Sequence, residues 1–153
     1  MAISEETIIN KIAGYERSID GIRNSYNYAD NPDNLSTAML PAVVHIPSQF
    51  EAETRAHHNI WTNEVTILSV LLVAEMKSKG GTLRFLENSA LRYGKLWRAK
   101  FQTESVINDI FSSTGATTKV YLTKGTYGAG DIFRTYNGIP YIGWVFTFQF
   151  KEN

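Results

Sequence analysis

The sequence predicts an α+β fold, in which a mixed or antiparallel sheet of four to five strands is covered by two main amphipathic helices. Two segments carry apolar residues at alternating steps of three and four, the spacing of one helical face. Between them lies a run rich in β-branched residues, and the chain ends in a strand with alternating aromatic residues. The predicted order is α-β-β-α-(α)-β-β-β, where the parentheses mark a short helix. At 153 residues, we expect one domain over residues 1–153.

The first predicted helix begins near Ser4, a residue type that caps helices. Its apolar stripe indicates about six turns and consists of Ile8, Ile12, Tyr15, Ile19, Ile22 and Tyr26. Gly14 and Gly21 fall on one flank of this stripe. Because a glycine inside a helix costs roughly 1 kcal/mol relative to alanine, either a close neighbour requires these two or they are exposed and merely tolerated.

Two strands are predicted next, separated by a loop. Val43, Val44 and Ile46 indicate a short edge strand that Pro47 stops. Residues 49–59 are polar and charged and are expected to form an exposed loop. Residues 61–73 are predicted to form a long buried strand, with a helix as the competing interpretation.

The second half of the chain begins with a helix capped by Thr82, whose stripe is Leu83, Leu86, Ala90, Tyr93, Trp97 and Phe101. Thr103 is expected to cap a short third helix, which Gly115 ends. Three strands follow at residues 120–123, 132–136 and 141–150. The glycine-rich residues 124–131 are read as a flexible hairpin tip that exposes Tyr127, and Asn137-Gly138 as a tight turn between the last two strands.

The last strand places four aromatic residues on one face, namely Trp144, Phe146, Phe148 and Phe150. Such a face serves either as a platform on which nucleobases stack or as the floor of a core. Two apolar helix stripes also need a surface to cover, and the three apolar faces fit one another. The core interpretation is therefore favoured.

Composition excludes several classes of protein. Fifteen Lys and Arg balance fifteen Asp and Glu, whereas a protein that grips a phosphate backbone usually has a basic excess. The absence of cysteine excludes disulfides, thiolate catalysis and cysteine-type zinc sites. We expect no signal peptide, because the N-terminal residues lack a basic region followed by an apolar run. The longest apolar stretch, residues 65–74, is shorter than the roughly 20 residues of a membrane-spanning helix.

No motif for catalysis, cofactor binding or metal binding is recognised. The sequence G-x-S-x-G is absent, and the spacing of Gly125, Gly128 and Gly130 fits neither phosphate-binding fingerprint. His57 and His58 are adjacent, so their side chains diverge on any regular element. A metal site with nearby glutamates is conceivable, but solvated loop histidines are the favoured interpretation. An enzyme is disfavoured.

A basic helix face is the feature that favours nucleic acid. Residues 76–102 contain seven Lys and Arg against Glu87 alone. Arg84, Arg92, Lys95 and Arg98 lie opposite the apolar stripe of the second predicted helix. Such a face either contacts single-stranded nucleic acid or is simply the solvated side of an amphipathic helix.

The order of elements resembles that of the tail terminator, or tail-completion, proteins of tailed bacteriophages. Their pattern is an amphipathic N-terminal helix, two strands with a long protruding loop, a helix across the sheet and closing strands. The local matches are the LPA tripeptide at residues 40–42 and the closing strand YIGWVFTFQFKE at residues 141–152. This chain has an extra strand or helix relative to the simplest form of the pattern. Head-completion and other head-tail connector proteins therefore remain alternatives.

The resemblance implies a structural virion protein, assembled in the host cytoplasm and needing no cofactor. Its subunits would form a ring, a hexamer, that caps the tail tube protein and offers a surface to a neck or head-completion protein. DNA would pass through the ring, and no membrane would be involved. The candidate interaction surface consists of Gly14, Gly21, Arg55, His57, His58, Arg92, Lys95, Arg98 and Tyr127.

Overall fold

A computed structural model describes residues 5–33, 35–55, 60–75, 83–114, 121–129 and 141–152. The described elements are α1 (Glu5–Arg17), β1 (Asn24–Ser25), a 3-10 turn (Thr37–Met39), β2 (Ala42–Arg55), β3 (Ile60–Glu75), α2 (Leu83–Phe101), α3 (Glu104–Thr114), β4 (Tyr121–Ala129) and β5 (Tyr141–Glu152). In the described ranges, no helix is both long enough and apolar enough to cross a membrane.

Within the described residues the strands form one five-stranded sheet in the order β1-β2-β3-β5-β4. The β1–β2 pair is parallel and the other three pairs are antiparallel, so the sheet is mixed. The predicted α+β fold is therefore confirmed. The run at residues 61–73 is a strand, β3, and the competing helix interpretation is wrong.

The main core lies between the sheet and the helices, as the aromatic strand predicts. Trp97 of α2 stacks on Phe146 of β5, with ring centroids 4.5 Å apart and planes 5° apart. Phe101, one turn further along α2, meets Phe148 edge to face at 5.0 Å. All four side chains are buried. The aromatic face of β5 is thus the floor of the core at these positions, while the side chain of Phe150 lies outside the described part.

A second, smaller core covers the opposite face of the sheet. It consists of Leu35, Leu40, Ala42, Val44, Val70, Leu72 and Tyr141. Alternation along a strand explains the division, because Val43 faces the first core and Val44 the second. The connection between β1 and β2, which shows no regular pattern in the sequence, therefore packs apolar side chains on this face.

The predicted length of the first helix is wrong. The helix α1 has 13 residues and ends at Arg17. This length is roughly three and a half turns, instead of the predicted six. The amides of Ser18 and Ile19 bond to carbonyls three residues back, which closes a turn, and Gly21 has a φ of 91°. Ile19 is buried all the same. The apolar period continues past the end of the helix because a turn returns Ile19 and Ile22 to the first core, whereas Tyr26 packs against the second.

The expectation that Pro47 stops the first strand is also wrong. Strand β2 continues to Arg55, with a register shift between Pro47 and Gln49, so most of the predicted loop at residues 49–59 is strand. Proline is tolerated there because β1 pairs with β2 only at Ala42 and Val43. Strand β1 does not extend to Pro47, so no backbone amide of β2 is needed there to bond to β1. Residues 56–59 lie outside the described ranges.

The glycine-rich segment after Thr123 is not a hairpin tip in its described part. Strand β4 runs to Ala129 and pairs with β5 as far as Ile142. Gly125 lies opposite Phe146, whose ring would come within 3.1–3.2 Å of a Cβ at that position. Glycine there leaves room for the aromatic core. The predicted strand at residues 132–136 and the Asn137-Gly138 turn lie outside the described residues.

Two glycines provide a test of this packing. A Cβ at Gly143 would overlap the carbonyl oxygen of Leu71, a backbone atom that cannot move aside, whereas a Cβ at Gly14 would meet only the tip of Arg17 at 3.9 Å. Gly143→Ala is expected to lower the free energy of unfolding by about 1–3 kcal/mol, and Gly14→Ala to raise it by up to about 1 kcal/mol. Urea unfolding followed by circular dichroism measures both. Equal effects of the two substitutions would contradict the register of β3 and β5.

Candidate functional site

A groove runs between the second half of α2 and the strands β4 and β5. Its volume is about 540 Å³, within the range of roughly 300–1,000 Å³ for ligand sites. Its floor is apolar and formed by Leu91, Leu122, Trp144 and Phe146. Leu91 is 48% exposed, a large fraction for an apolar side chain beside three others. The groove therefore has an apolar surface that a ligand or partner would cover.

The rim of the groove is cationic. Lys95 and Arg98 project from α2, Lys124 projects from β4, and all three are exposed. Among the described residues that line the groove, none is a carboxylate or a histidine; the other polar side chains are Gln102 and Thr123. Such a site suits a partner that has both apolar and acidic groups.

Trp144 fixes the distance between α2 and the sheet. Its Nε1 donates a hydrogen bond to the carbonyl oxygen of Ala90, 2.8 Å away. Gly94 packs against the same ring, since a Cβ there would lie 2.6 Å from two of its carbons. The ring also stacks on Phe146 at 5.5 Å and meets the edge of Tyr127 at 5.7 Å. Trp144 is therefore held on several sides and is a poor platform for nucleobase stacking.

A second polar arrangement lies inside the core, around the fully buried carboxylate of Glu16. Its Oε2 accepts a hydrogen bond from Nε1 of Trp97 at 3.0 Å, and its Oε1 accepts one from the hydroxyl of Ser25 at 3.0 Å. The same Oε1 lies 2.6 Å from Nε2 of His45. The four residues belong to α1, α2, β1 and β2.

The geometry assigns the tautomer of His45. Its Nδ1 lies 2.7 Å from the carbonyl oxygen of Tyr26, which can only accept, so Nδ1 carries a proton. One further proton then joins Nε2 to the Glu16 carboxyl. Glu16 and His45 do not line the groove. We therefore interpret this cluster as a structural anchor rather than a catalytic pair.

Sequence reasoning missed Glu16, although a signal was present. Glu16 follows Ile8 and Ile12 at steps of four, which places a charged residue on the apolar stripe of α1. A carboxylate on a buried face needs hydrogen-bonding partners. Which residues supply them depends on tertiary contacts, because His45 and Trp97 are 29 and 81 residues away along the chain.

The structure brings together some of the predicted interaction residues. Lys95 and Arg98 line the groove, and Tyr127 touches its floor through Trp144. Arg92 lies elsewhere, with its guanidinium 5.0 Å above the ring centre of Tyr93. The side chain of Arg55 lies outside the described part of the chain, as do residues 57 and 58, the two adjacent histidines.

Gly14 and Gly21 do not share a helix flank, contrary to expectation. Gly21 lies in the turn after α1, where a Cβ would come within 2.6 Å of the Tyr93 hydroxyl and 2.7 Å of Arg92. With its positive φ, this position requires glycine for conformation and for space. Gly14 is exposed within α1. One glycine is therefore structural, and the other is tolerated at the surface.

Tyr15 ties α1 to α3. Its hydroxyl donates a hydrogen bond to Asp109, which Lys11 also approaches at 3.4 Å. This bond raises the pKa of Tyr15 to about 12, with smaller contributions from burial and from the carboxylate charge. The same bond, helped by Lys11, lowers the pKa of Asp109. Both shifts favour the neutral phenol beside the ionised carboxylate.

Within the described ranges, no three His, Cys, Asp or Glu residues come close enough together to hold a metal ion.

A comparison with known protein families and with curated proteins found no match to this chain.

Removal of the Glu16 carboxylate tests the anchor. Glu16→Ala leaves the Trp97, His45 and Ser25 groups without their acceptor in the core, and is expected to lower the free energy of unfolding by at least about 3 kcal/mol. Glu16→Gln is expected to cost less, because an amide can accept from Trp97 and donate to neutral His45. The matched control Glu6→Ala, at an exposed position of the same helix, is expected to change it by less than about 0.5 kcal/mol. Similar values for Glu16→Ala and Glu6→Ala in urea unfolding would contradict the anchor.

The Tyr15 hydrogen bond predicts a pH-dependent contribution to stability. The lowered pKa of Asp109 means that the contribution is present above the ordinary carboxyl value and is lost as the pH falls through the folded-state pKa. The raised pKa of Tyr15 means that the contribution to stability is complete below the ordinary pKa of tyrosine and is lost as the pH rises through about 12. The urea midpoints of the unsubstituted protein and Tyr15→Phe are expected to differ at pH 7 and to converge toward pH 2. Tyr28→Phe, at an exposed tyrosine, serves as the control, and a difference equally large at pH 2 and pH 7 would rule out this origin.

Proposed function

We propose that this protein is a structural assembly subunit that forms a ring at the head-proximal end of a phage tail, where it joins the tail tube to the neck. The observation that carries the proposal is the shape of the sheet at one end. Strand β4 begins opposite Gln149, and β5 ends opposite Asn63. Beyond that point, among the residues that the structure describes, β2 and β3 continue without a further strand, paired through Arg55 and Ile60.

This projecting hairpin takes the place of the protruding loop that the sequence indicates. We call it the hairpin arm, and its described residues are 53–55 and 60–62. A two-stranded ribbon is only marginally stable alone in water. Contact with another chain would stabilise it, which supports a role in assembly.

The placement of surfaces supports a ring. The hairpin arm belongs to β2 and β3, whereas the groove lies over β5 and β4 at the other side of the sheet. Two different surfaces on opposite sides of a subunit favour head-to-tail contacts, which close into rings when the rotation permits. Six subunits are proposed, following the resemblance to tail terminators. The partners would be the tail tube protein and a neck or head-completion protein, with DNA passing through the ring.

Nucleic-acid binding is the second candidate. It is favoured by the three cations of the groove, two of which lie on the predicted basic face of α2. The position of Trp144 disfavours it, because Gly94 and Phe146 cover the ring that would stack on a base. A binder of this kind would show salt-sensitive retention of single strands.

Truncation of the arm tests the proposal. Residues 53–62 are replaced by Asn-Gly, which joins Ala52 to Asn63 across an existing register pair through a preferred hairpin turn. Light scattering is expected to give the full chain a mass six times that of the 17.2 kDa subunit, and to give the truncated chain the subunit mass. An unchanged circular dichroism spectrum establishes that the truncated chain is folded. A full-length protein that stays monomeric at high concentration would overturn the proposed function.

A further inference from the structure

We propose that the groove between α2 and β4 is a binding site for a small amphipathic anion, a molecule with an apolar body and one acidic group. Such a site would act independently of the ring, because every residue that lines the groove belongs to a single chain. Four properties of the groove support it: the charge of the rim, the apolar floor, the position of each along the helix, and the volume.

The rim carries three cations that lack an ionic partner in the described part of the chain. The side chains of Lys95, Arg98 and Lys124 are exposed and form no ion pair with another described residue. By contrast, Lys11 on α1 pairs with Asp109 at 3.4 Å. Like charges gathered around one groove repel one another, so an anion bound among them would interact favourably with all three.

The floor of the groove leaves apolar surface in contact with solvent. Leu91 is 48% exposed, and Leu122 and Trp144 are only partly buried. A ligand body that covers these side chains removes apolar surface from water, which favours binding. An inorganic anion cannot do this, so the floor selects a ligand that has an apolar body as well as a charge.

The apolar and cationic parts occupy different positions along the groove. Trp144 donates a hydrogen bond to the carbonyl oxygen of Ala90, which places its ring near Leu91. Lys95 and Arg98 follow Leu91 by four and seven residues, so they lie on the same side of the helix, about 6 and 10 Å further along its axis. A ligand would therefore place its apolar body against Leu91 and Trp144 and its acidic group toward Lys95 and Arg98.

Contacts within the subunit set the shape of the floor. Gly94 and Gly125 both line the groove. A Cβ at Gly94 would lie 2.6 Å from the Trp144 ring, and one at Gly125 would lie 3.1 Å from the Phe146 ring. Glycine at both positions lets the two rings pack close to the backbone, where they stack on each other. A floor held in this way needs little ordering when a ligand binds.

The size of the groove favours a small molecule over a protein partner. Its volume of about 540 Å³ lies within the range of roughly 300–1,000 Å³ for small-molecule sites. Eleven residues line it, whereas a stable protein–protein interface uses about 20–30 residues of each partner. The groove alone is therefore large enough for a small ligand and too small for a stable interface.

Two fluorescent probes of matched shape test the site. Anilinonaphthalene sulfonate has an aromatic body and one anionic group, and phenylnaphthylamine has the same aromatic body without the sulfonate. Both gain fluorescence in an apolar site, so titration gives a dissociation constant for each. The unsubstituted protein is expected to bind the sulfonate probe about tenfold more tightly than the neutral one, since each exposed ion pair contributes a factor of about three.

Removal of the cations is expected to affect one probe only. Lys95→Gln with Arg98→Gln is expected to weaken binding of the sulfonate probe about tenfold and to change binding of the neutral probe by less than about twofold. Leu91→Ser removes part of the floor and is expected to weaken binding of both probes by similar factors. Circular dichroism establishes that each variant is folded.

A matched control uses the same helix. Arg92→Gln with Lys100→Gln makes an equal charge change on α2 at residues that do not line the groove, and is expected to leave both dissociation constants unchanged. Octanoate, which shares with the sulfonate probe only an apolar body and one acidic group, is expected to displace that probe from the unsubstituted protein.

Three results would overturn the site. The first is a sulfonate probe that binds the unsubstituted protein no more tightly than the neutral probe does, or not at all. The second is a control variant that weakens the sulfonate probe as much as the groove variant, which would attribute binding to surface charge in general. The third is displacement of the probe by a single-stranded oligonucleotide but not by octanoate. Light scattering measures the ring separately, so each of these results would leave the proposed function standing.

Discussion

The buried carboxylate of Glu16 is the constraint on which the rest of the structure depends. Burial of an ionisable group costs several kcal/mol unless hydrogen bonds and a partner compensate it. Here the compensation comes from Ser25, His45 and Trp97, each on a different element. The positions of α1, α2 and the first two strands are thereby fixed relative to one another. Strand β1 has only two residues, and the Ser25 hydrogen bond helps to hold it beside β2.

The groove follows from this anchor through two aromatic contacts. Trp97, held by Glu16, stacks on Phe146, which in turn stacks on Trp144. Trp144 then hydrogen-bonds to α2 at Ala90 and packs against Gly94. The helix is therefore fixed to the sheet along β5. Its outer residues extend beyond that contact toward the edge strand β4, where the cationic groove lies.

Periodic features of the fold could be predicted from sequence, and features that depend on strand pairing could not. At the positions whose side chains are described, the stripe of α2 and the alternation of β5 were correct, because each pattern directly reports a buried face. Pro47 and Gly125 were misread as breaks, because a register shift and a close aromatic ring accommodate them within strands. The groove itself was not predicted, although two of its three cations belong to the predicted basic helix face. Lys95 and Arg98 follow from the helical wheel, but Lys124 joins them only through the pairing of β4 with β5.

The charge balance of the chain disfavours a protein that grips a phosphate backbone. Such a protein must present more cations than anions to its ligand, and a basic excess usually appears in its composition. The formal net charge of this protein is zero, so the three cations that line the groove are a local feature. They lie beside Leu91, which is 48% exposed. Exposed apolar surface with a polar rim is typical of contacts with a partner or ligand, whereas a continuous phosphate backbone needs a longer run of cations.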